Sequence, residues 1–424
     1  MKTVIIGNGI AGNEVAFQLR ERDPDAEITI ISKERFAEYD PCSLTYFVGG
    51  DVPREVVFRR ELADYERAGI NLALGEKIAS IDPAGKTTTS EGGEIFSYDN
   101  LVLAHGGEVF RPPISGLDLR GVFGCKELED ADDLFNRAGS AAVVIGSGAI
   151  GIEAAEALKK KGFDVTVVEL LDRILPTMFD APAAGRLRAA LEGHGIAVRT
   201  GLKVLGIEGD RAVTGVRTEE ETIPCDTVVL ATGVRAHLGL ARSAGVETDR
   251  GILVNERMET SVPDIYACGD CAQTKGLGTG EAVLYQLKHN AIDQARIVAR
   301  NILGEGVEYR GAYAFARAHF FDTHSASFGR LAGSVAKSAG AEIFERDDRA
   351  GYLMVVLDNG RVVGAQAVGD LADRIGLLMG AAWRGDDIDE LRRDWNKICQ
   401  IGSSYPWTHR QLGELLGLAT PIGD

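Results

Sequence analysis

The sequence predicts an α/β protein, and three observations carry that prediction. A buried-strand pattern, a glycine turn and an amphipathic helix follow one another near the N-terminus, and the same succession returns at Ala141. From about residue 311 the chain changes to alternating strands, a hairpin turn at Asp358-Asn359-Gly360 and short helices at Leu371–Trp383 and Asp387–Cys399, the pattern of an α+β domain. At 424 residues there is room for two or three domains, each with its own core. A hydrophobic content of 45 % and a mean hydropathy of -0.03 describe a soluble globular protein.

The net charge of -17 argues against a nucleic-acid or anionic-membrane partner, because both need a positive surface. Asn8, Asn13 and Glu14 break the N-terminal apolar run before it could act as a signal segment, and no apolar run reaches spanning length, so a cytoplasmic protein is expected. Six cysteines, at 42, 125, 225, 268, 271 and 399, are scattered with one CxxC, which fits neither a disulfide framework nor a zinc site, and no metal is expected.

Taken in order, Thr3-Val4-Ile5-Ile6 is the first strand, Gly7-Asn8-Gly9-Ile10-Ala11-Gly12 the turn, and Ala11, Val15, Ala16 and Leu19 share one helix face. Glycines at 7, 9 and 12 permit the turn and close backbone approach, and the helix N-terminus offers N–H groups to a diphosphate. Glu27–Ile31 is the second strand. An acidic residue belongs at its end to take ribose hydroxyls; Ser32 stands there, and Glu34 is the candidate, with a solvated surface charge as the competing reading.

Glu61–Gly69 reads as a helix ending at glycine, followed by short strands and by Asn100–Ala104, which runs into His105-Gly106-Gly107. In the second succession Gly146, Gly148 and Gly151 repeat the turn, Lys159–Lys161 oppose the negative end of the helix, and the strand Val165–Val168 ends at Glu169, 18 residues beyond Gly151. Thr227–Ala231 ends in Thr232-Gly233. Asp270 follows a short apolar strand, where its carboxylate could accept from a polyol chain or cap a helix, and Ala282–Leu303 reads as one long helix.

Tyr39–Gly50 is the stretch with chemistry of its own. Asp40 is an N-cap, Pro41 suits the first helical position, Gly49-Gly50 stops the helix, and Cys42 falls in the first turn, where free N–H groups favour thiolate. A buried cysteine acting as a small hydrophobe is the alternative.

These motifs, in this order, resemble the pyridine nucleotide-disulfide oxidoreductases over roughly residues 1–310. The resemblance implies two Rossmann-like dinucleotide-binding domains: an FAD domain of residues 1–118 and 245–310, and an inserted NAD(P)H domain of residues 119–244. A C-terminal α+β dimerisation domain of residues 311–424 completes the chain. Carried over, Gly7, Gly9, Gly12 and Asp270 are FAD residues, and Gly146, Gly148, Gly151, Glu169 and Gly233 serve the nicotinamide cofactor, NADH in preference to NADPH. Glu34, Pro41 and Gly106 complete the expected cofactor-binding set.

Cys42 followed by Leu44-Thr45-Tyr46, with Phe47 where a second cysteine would stand, is similar to the single-cysteine branch of coenzyme A-disulfide reductases and NADH oxidases. Three departures are Thr45 for proline, Ser32 for the acid and Ala104-His105-Gly106 for Ala-Thr-Gly. His409 and Glu414 have the spacing of the His/Glu pair of the two-cysteine branch, while Thr408 and Gln411 read as a capping box that makes His409 the start of a short helix.

The resemblance implies hydride transfer from NADH to FAD and onward, through Cys42, to a small disulfide, persulfide, peroxide or oxygen acceptor. The alternative is an electron-transfer subunit or reductase serving an iron–sulfur or rubredoxin-like partner or a larger 2-oxoacid oxidoreductase complex. A homodimer joined mainly through about residues 311–424 is expected, and the apolar face of Ile375, Leu378, Met379 and Ala382 needs a cover, either an interface or an intradomain core.

Overall fold

The computed structural model describes residues 1–349, 351–390 and 393, and the chain divides into two compact units. The first takes residues 1–110, 126–135 and 233–313, and the second 111–125, 136–232 and the described part of 314–424. No described helix is long and apolar enough to cross a membrane. His409, Glu414, Cys399 and most of the helix expected over Asp387–Cys399 lie outside the described residues.

In the first unit five parallel strands run in the order Ile265–Ala267, Asn100–Leu103, Lys2–Ile6, Glu27–Ser32, Ile70–Leu74. Both faces are covered, which is why these strands read as near-continuous apolar runs: Ile5, Ile28, Ile30, Leu101 and Val102 are wholly buried. The helix Ile10–Arg22 contributes Val15, Ala16 and Leu19 to the same core as Ala295, Val298 and Ala299 of the helix Lys288–Ile302. From Lys2–Ile6 the chain proceeds to Glu27–Ser32 and Ile70–Leu74 on one side, then returns to Asn100–Leu103 on the other. The order therefore reverses beside Gly7, the place where open parallel sheets receive ligands at their carboxyl ends.

The second unit repeats this construction. Its parallel strands run Ile196–Arg199, Asp164–Val168, Ala141–Ile145, Thr227–Leu230, Val122–Phe123, and the order reverses beside Gly146. The same unit holds an antiparallel sheet in the order Phe315–Phe320, Thr323–Gly329, Arg361–Gly369, Gly351–Asp358, Ala341–Asp348. The hairpin expected at Asp358-Asn359-Gly360 forms with Asn359 at φ 52 and Gly360 at φ 73, the two left-handed residues that a tight hairpin with native twist requires.

Several sequence expectations are corrected by tertiary contacts. The helix Leu128–Asn136 has nearly all its residues in the first unit, although the inserted domain was expected to begin at 119. Arg54 holds Asp132 through two bonds of 2.7 and 2.8 Å, Lys33 meets Glu127 at 2.6 Å, and Phe135 stacks on Phe47 with centroids 4.6 Å apart. The helix expected from Ala282 begins only at Lys288, because Ala282–Val283 pairs with Thr274-Lys275 as a strand. The segment 371–383 forms a 3-10 turn, Asp370–Arg374, then the helix Ile375–Arg384 ending at Gly385 with φ 76.

The apolar face of that helix is covered by the unit's own sheet. Ile375 and Leu378 are buried in one cluster with Ala326, Val355 and Ala365, with Met379 and Ala382 packed against it, so this face supplies no argument for an interface. Replacing Leu378, 1 % exposed, by alanine should cost about 3 kcal/mol of stability through lost burial and a residual cavity. A denaturant titration showing a loss below about 1 kcal/mol would remove Leu378 from the core.

Candidate cofactor and redox sites

In the first unit each glycine of the turn answers a different demand. Gly7 has φ +117, and a Cβ there would lie 2.3 Å from the Ala104 carbonyl oxygen. At Gly12 a Cβ would sit 2.0 Å from the Gly7 oxygen, so the helix could not approach the strand. Gly9, the N-cap of the helix, faces open space, with no atom of the chain within 4 Å of a built Cβ and no side-chain cap on the first turn. That is the cradle a diphosphate would fill against unpaired helix N–H groups.

Behind the turn lies a polar network that sequence reasoning missed, because Asn8 and Asn13 were read only as breaks in an apolar run. The Asn13 amide donates to Asn8 Oδ1 at 2.9 Å, the Tyr65 hydroxyl donates to Asn13 Oδ1 at 2.7 Å, and Asn8 Nδ2 donates to the Phe36 carbonyl at 2.9 Å. Tyr65 also accepts the Glu38 N–H at 3.1 Å. Burial pushes the Glu38 carboxyl above its ordinary range, with Arg59 at 3.3 Å and Arg60 at 2.9 Å pulling the other way.

Asp270 sits in the 3-10 turn Gly269–Cys271, right after the strand Ile265–Ala267. Gln294 accepts the Gly269 N–H at 2.8 Å and Gln286 donates to the Asp270 carbonyl at 3.2 Å, but no group among the described residues donates to the Asp270 carboxylate. Loss of water raises its pKa, with Lys126 acting in the opposite sense. An acceptor held ready at the carboxyl end of the sheet fits a polyol chain such as that of FAD.

Glu34 is half-buried and is no solvated surface charge. The Ser32 hydroxyl accepts the Glu34 N–H at 3.1 Å, and the Tyr39 hydroxyl donates to the Glu34 carboxylate at 2.8 Å. Desolvation raises the Glu34 pKa in spite of that bond. His105 and Gly106, which has φ +66, follow the strand Asn100–Leu103, and both ring nitrogens of His105 are buried.

The Cys42 region differs in detail from the expected helix. Asp40 is the N-cap and accepts the Cys42 N–H at 3.1 Å, and Pro41 is the first residue, but the first three residues form a 3-10 turn. The α-helix proper is Leu44–Gly49, closed by Gly50 at φ 79. A helix this short has little dipole, so its effect on the thiol reduces to local N–H groups and neighbours. Lys288, the first residue of its helix, pairs with the Asp40 carboxylate. Cys42 is exposed, whereas Cys125, Cys225, Cys268 and Cys271 are buried.

In the second unit Gly146 has φ +104 with a Cβ position 2.3 Å from the Ala231 oxygen, Gly151 would clash with the Gly146 oxygen at 2.2 Å, and Gly148 is open. Glu169 ends its strand as expected, yet it is tied to the loop: its Oε2 accepts the Ser147 N–H at 2.9 Å and the Ser147 hydroxyl at 2.6 Å, and its Oε1 accepts the Leu171 N–H at 2.8 Å. Gly233, expected with this set, lies in the first unit, where its carbonyl accepts the Phe110 N–H at 2.8 Å.

Because Gly9 and Gly148 meet nothing in the chain, Gly9→Ala and Gly148→Ala should fold normally and lose ligand affinity alone. Gly9→Ala should weaken FAD binding at least tenfold, and Gly148→Ala should keep FAD but raise the KM for NADH by about tenfold or more. Ordinary FAD affinity and KM in both variants would dissociate the open cradles from cofactor binding.

Residues 1–295 match the family described as pyridine nucleotide-disulphide oxidoreductase. The NADH oxidase of Methanocaldococcus jannaschii is 32 % identical over 416 residues, 92 % of this chain and 93 % of that protein. The rubredoxin-NAD(+) reductase of Pseudomonas putida is 33 % identical over 310 residues, covering 72 % of this chain and 80 % of the relative. Among solved structures, an NAD-dependent persulfide reductase from A. fulgidus superposes with a TM-score of 0.88 at 32 % identity, covering 93 % of this chain and 79 % of the other. The chain belongs to the pyridine nucleotide-disulphide oxidoreductase family and is an FAD-dependent oxidoreductase that works with NADH.

Proposed function

We propose that this oxidoreductase delivers the two reducing equivalents of NADH to a small sulfur acceptor, a low-molecular-weight disulfide or persulfide, at Cys42. The observation that carries the reading is the exposed thiol on the Asp40-capped turn, in a chain whose other described cysteines are buried. FAD, when bound, supplies the two-electron relay between nicotinamide and sulfur. The residues suited to hold it are Gly7, Gly9 and Gly12 on the diphosphate, Asp270 on the polyol chain and Glu34 on a ribose.

The protein's own contribution at sulfur is nucleophilic. Cys42 thiolate attacks one sulfur of the acceptor disulfide, forming a mixed disulfide and expelling the first thiolate. Two electrons and one proton then split that bond, returning Cys42 thiolate and releasing the second thiol. The Asp40 carboxylate keeps the turn in place through the Cys42 N–H, and Lys288 neutralises that carboxylate, so the reacting sulfur is not faced by an uncompensated anion.

The persulfide reductase likeness extends over 93 % of the chain and supports sulfur as the acceptor. The rubredoxin reductase likeness, confined to 72 % of the chain, favours a second reading in which a carrier protein takes the electrons and Cys42 only packs. Cys42→Ser separates the two. The variant should bind FAD and oxidise NADH with an artificial dye at the wild-type rate, yet lose at least a hundredfold in turnover with coenzyme A disulfide or a persulfide. Full turnover of the variant with the sulfur acceptor would exclude the thiol chemistry and leave the carrier protein.

We also propose that Glu169 sets the preference for NADH. Its buried carboxylate, fixed by three donors beside Ser147, would oppose a 2′-phosphate and accept from ribose hydroxyls. Glu169→Ala should lower the ratio of kcat/KM for NADH to that for NADPH by about tenfold or more. A ratio unchanged from wild type would place the discrimination elsewhere.

A further inference from the structure

Ser147 belongs to the glycine turn of the second unit, one residue before the open position at Gly148, and it is wholly buried. Serine is mostly an exposed residue, and a buried hydroxyl needs a partner. Here the hydroxyl donates to Glu169 Oε2 at 2.6 Å, the short range of hydroxyl-to-carboxylate bonds. The Ser147 N–H reaches the same oxygen at 2.9 Å. The Ser147 carbonyl accepts the Leu175 N–H at 2.9 Å, and Leu175 takes up a left-handed backbone, φ 48, that is uncommon outside glycine. One serine therefore ties both ends of the stretch 169–175 to the turn.

The main chain of Glu169 is held as well. Its N–H donates to the Arg199 carbonyl at 2.8 Å and its carbonyl accepts the Leu202 N–H at 3.0 Å, continuing the pairing of Asp164–Val168 with Ile196–Arg199. What remains adjustable is the side chain. A carboxylate offers about four acceptor sites. Two, on Oε2, go to Ser147, and one, on Oε1, goes to the Leu171 N–H at 2.8 Å. Among the described residues no further donor reaches it, which leaves one site on Oε1. With 8 % of its surface exposed, Glu169 has little water to replace a donor lost from Oε2, so this partition depends on Ser147.

We infer that the Ser147 hydroxyl is a specificity-determining group for the nicotinamide cofactor. It fixes the Glu169 carboxylate against the turn beside Gly148, with one acceptor site left for a ribose hydroxyl and no freedom to swing away from a 2′-phosphate. Ser147 acts through Glu169 and is a positioning residue. The inference rests on the reading of Glu169 as the source of the NADH preference, and it is independent of Cys42 and of the electron acceptor. A brace that served folding alone would weaken NADH and NADPH alike. A carboxylate released from Ser147 changes the balance between them, since only NADPH carries the phosphate.

The test is a double-mutant cycle on the full-length holoprotein with Ser147→Ala, Glu169→Ala and the two combined, measuring kcat and KM for NADH and NADPH with ferricyanide as electron acceptor. The thermal midpoint of each variant checks that it is folded, and Ser147→Gly, a second way of removing the hydroxyl, should behave as Ser147→Ala does. Ser147→Ala should lower the ratio of kcat/KM for NADH to that for NADPH about fivefold, with the loss for NADH falling in KM more than in kcat. In the Glu169→Ala background the same substitution should move the ratio by less than about twofold, because the group it positions is gone. A wild-type ratio in Ser147→Ala or Ser147→Gly, beside a lowered ratio in Glu169→Ala, overturns the inference and leaves Glu169 in its role. An equal fall of the ratio in both backgrounds overturns it too, since Ser147 would then act without Glu169. An unchanged ratio in Glu169→Ala overturns both readings.

Discussion

The contact on which both nucleotide units depend is a backbone approach that no side chain could survive. In one unit a Cβ at Gly12 would stand 2.0 Å from the Gly7 oxygen, and in the other a Cβ at Gly151 would stand 2.2 Å from the Gly146 oxygen. Strand, turn and helix close into a unit only when that distance is available. The helix start is then presented uncapped at Gly9 and at Gly148, where the vacant Cβ positions face outward. The same residue type thus does two opposed things within three positions. It lets the chain touch itself at 12 and 151, and it leaves open space beside the helix start at 9 and 148.

The parts of the fold that were legible in the sequence are those set by neighbours within a few residues. Gly69 closes the helix that ends there in the left-handed region, and Asn359-Gly360 turns its hairpin, both as local rules dictate. What stayed hidden depends on partners far away along the chain. Nothing in Leu128–Asn136 announces that Asp132 will be taken by Arg54, 78 residues earlier, yet that pair and the Phe47–Phe135 stack put the segment in the first unit. The late start of the helix at Lys288 has a similar origin, since residues 282–283 gain a strand partner that helical periodicity cannot reveal.

The two candidate ribose acids show why residue type alone under-specifies a site. Glu34 and Glu169 both follow the second strand of their unit, but one is joined by the phenol of Tyr39 and the other by Ser147 and Leu171. At Glu34 the dominant influence is loss of water, which raises the pKa and makes the charged state costlier to maintain. At Glu169 the carboxylate belongs to the glycine loop itself, so the orientation of Ser147 and the direction of the acid are coupled. Spacing nominated Glu169, and Glu34 only as a substitute past Ser32; their different surroundings come from donors that spacing does not contain.

Accessibility divides the cysteines in the same physical way. Cys268 and Cys271 form the one CxxC of the sequence, and burial drives both thiols well above their ordinary range, the Cys271 thiol to about 12, while the Cys271 S–H is directed to the Leu103 and Cys268 carbonyls. A thiol in that state is a packing group, since the nucleophile is the thiolate and burial in apolar surroundings disfavours it. Cys42 is on an exposed turn whose Asp40 carboxylate is turned toward the Cys42 N–H and toward Lys288. Among the described residues the fold therefore buries the paired cysteines and leaves Cys42 in contact with solvent.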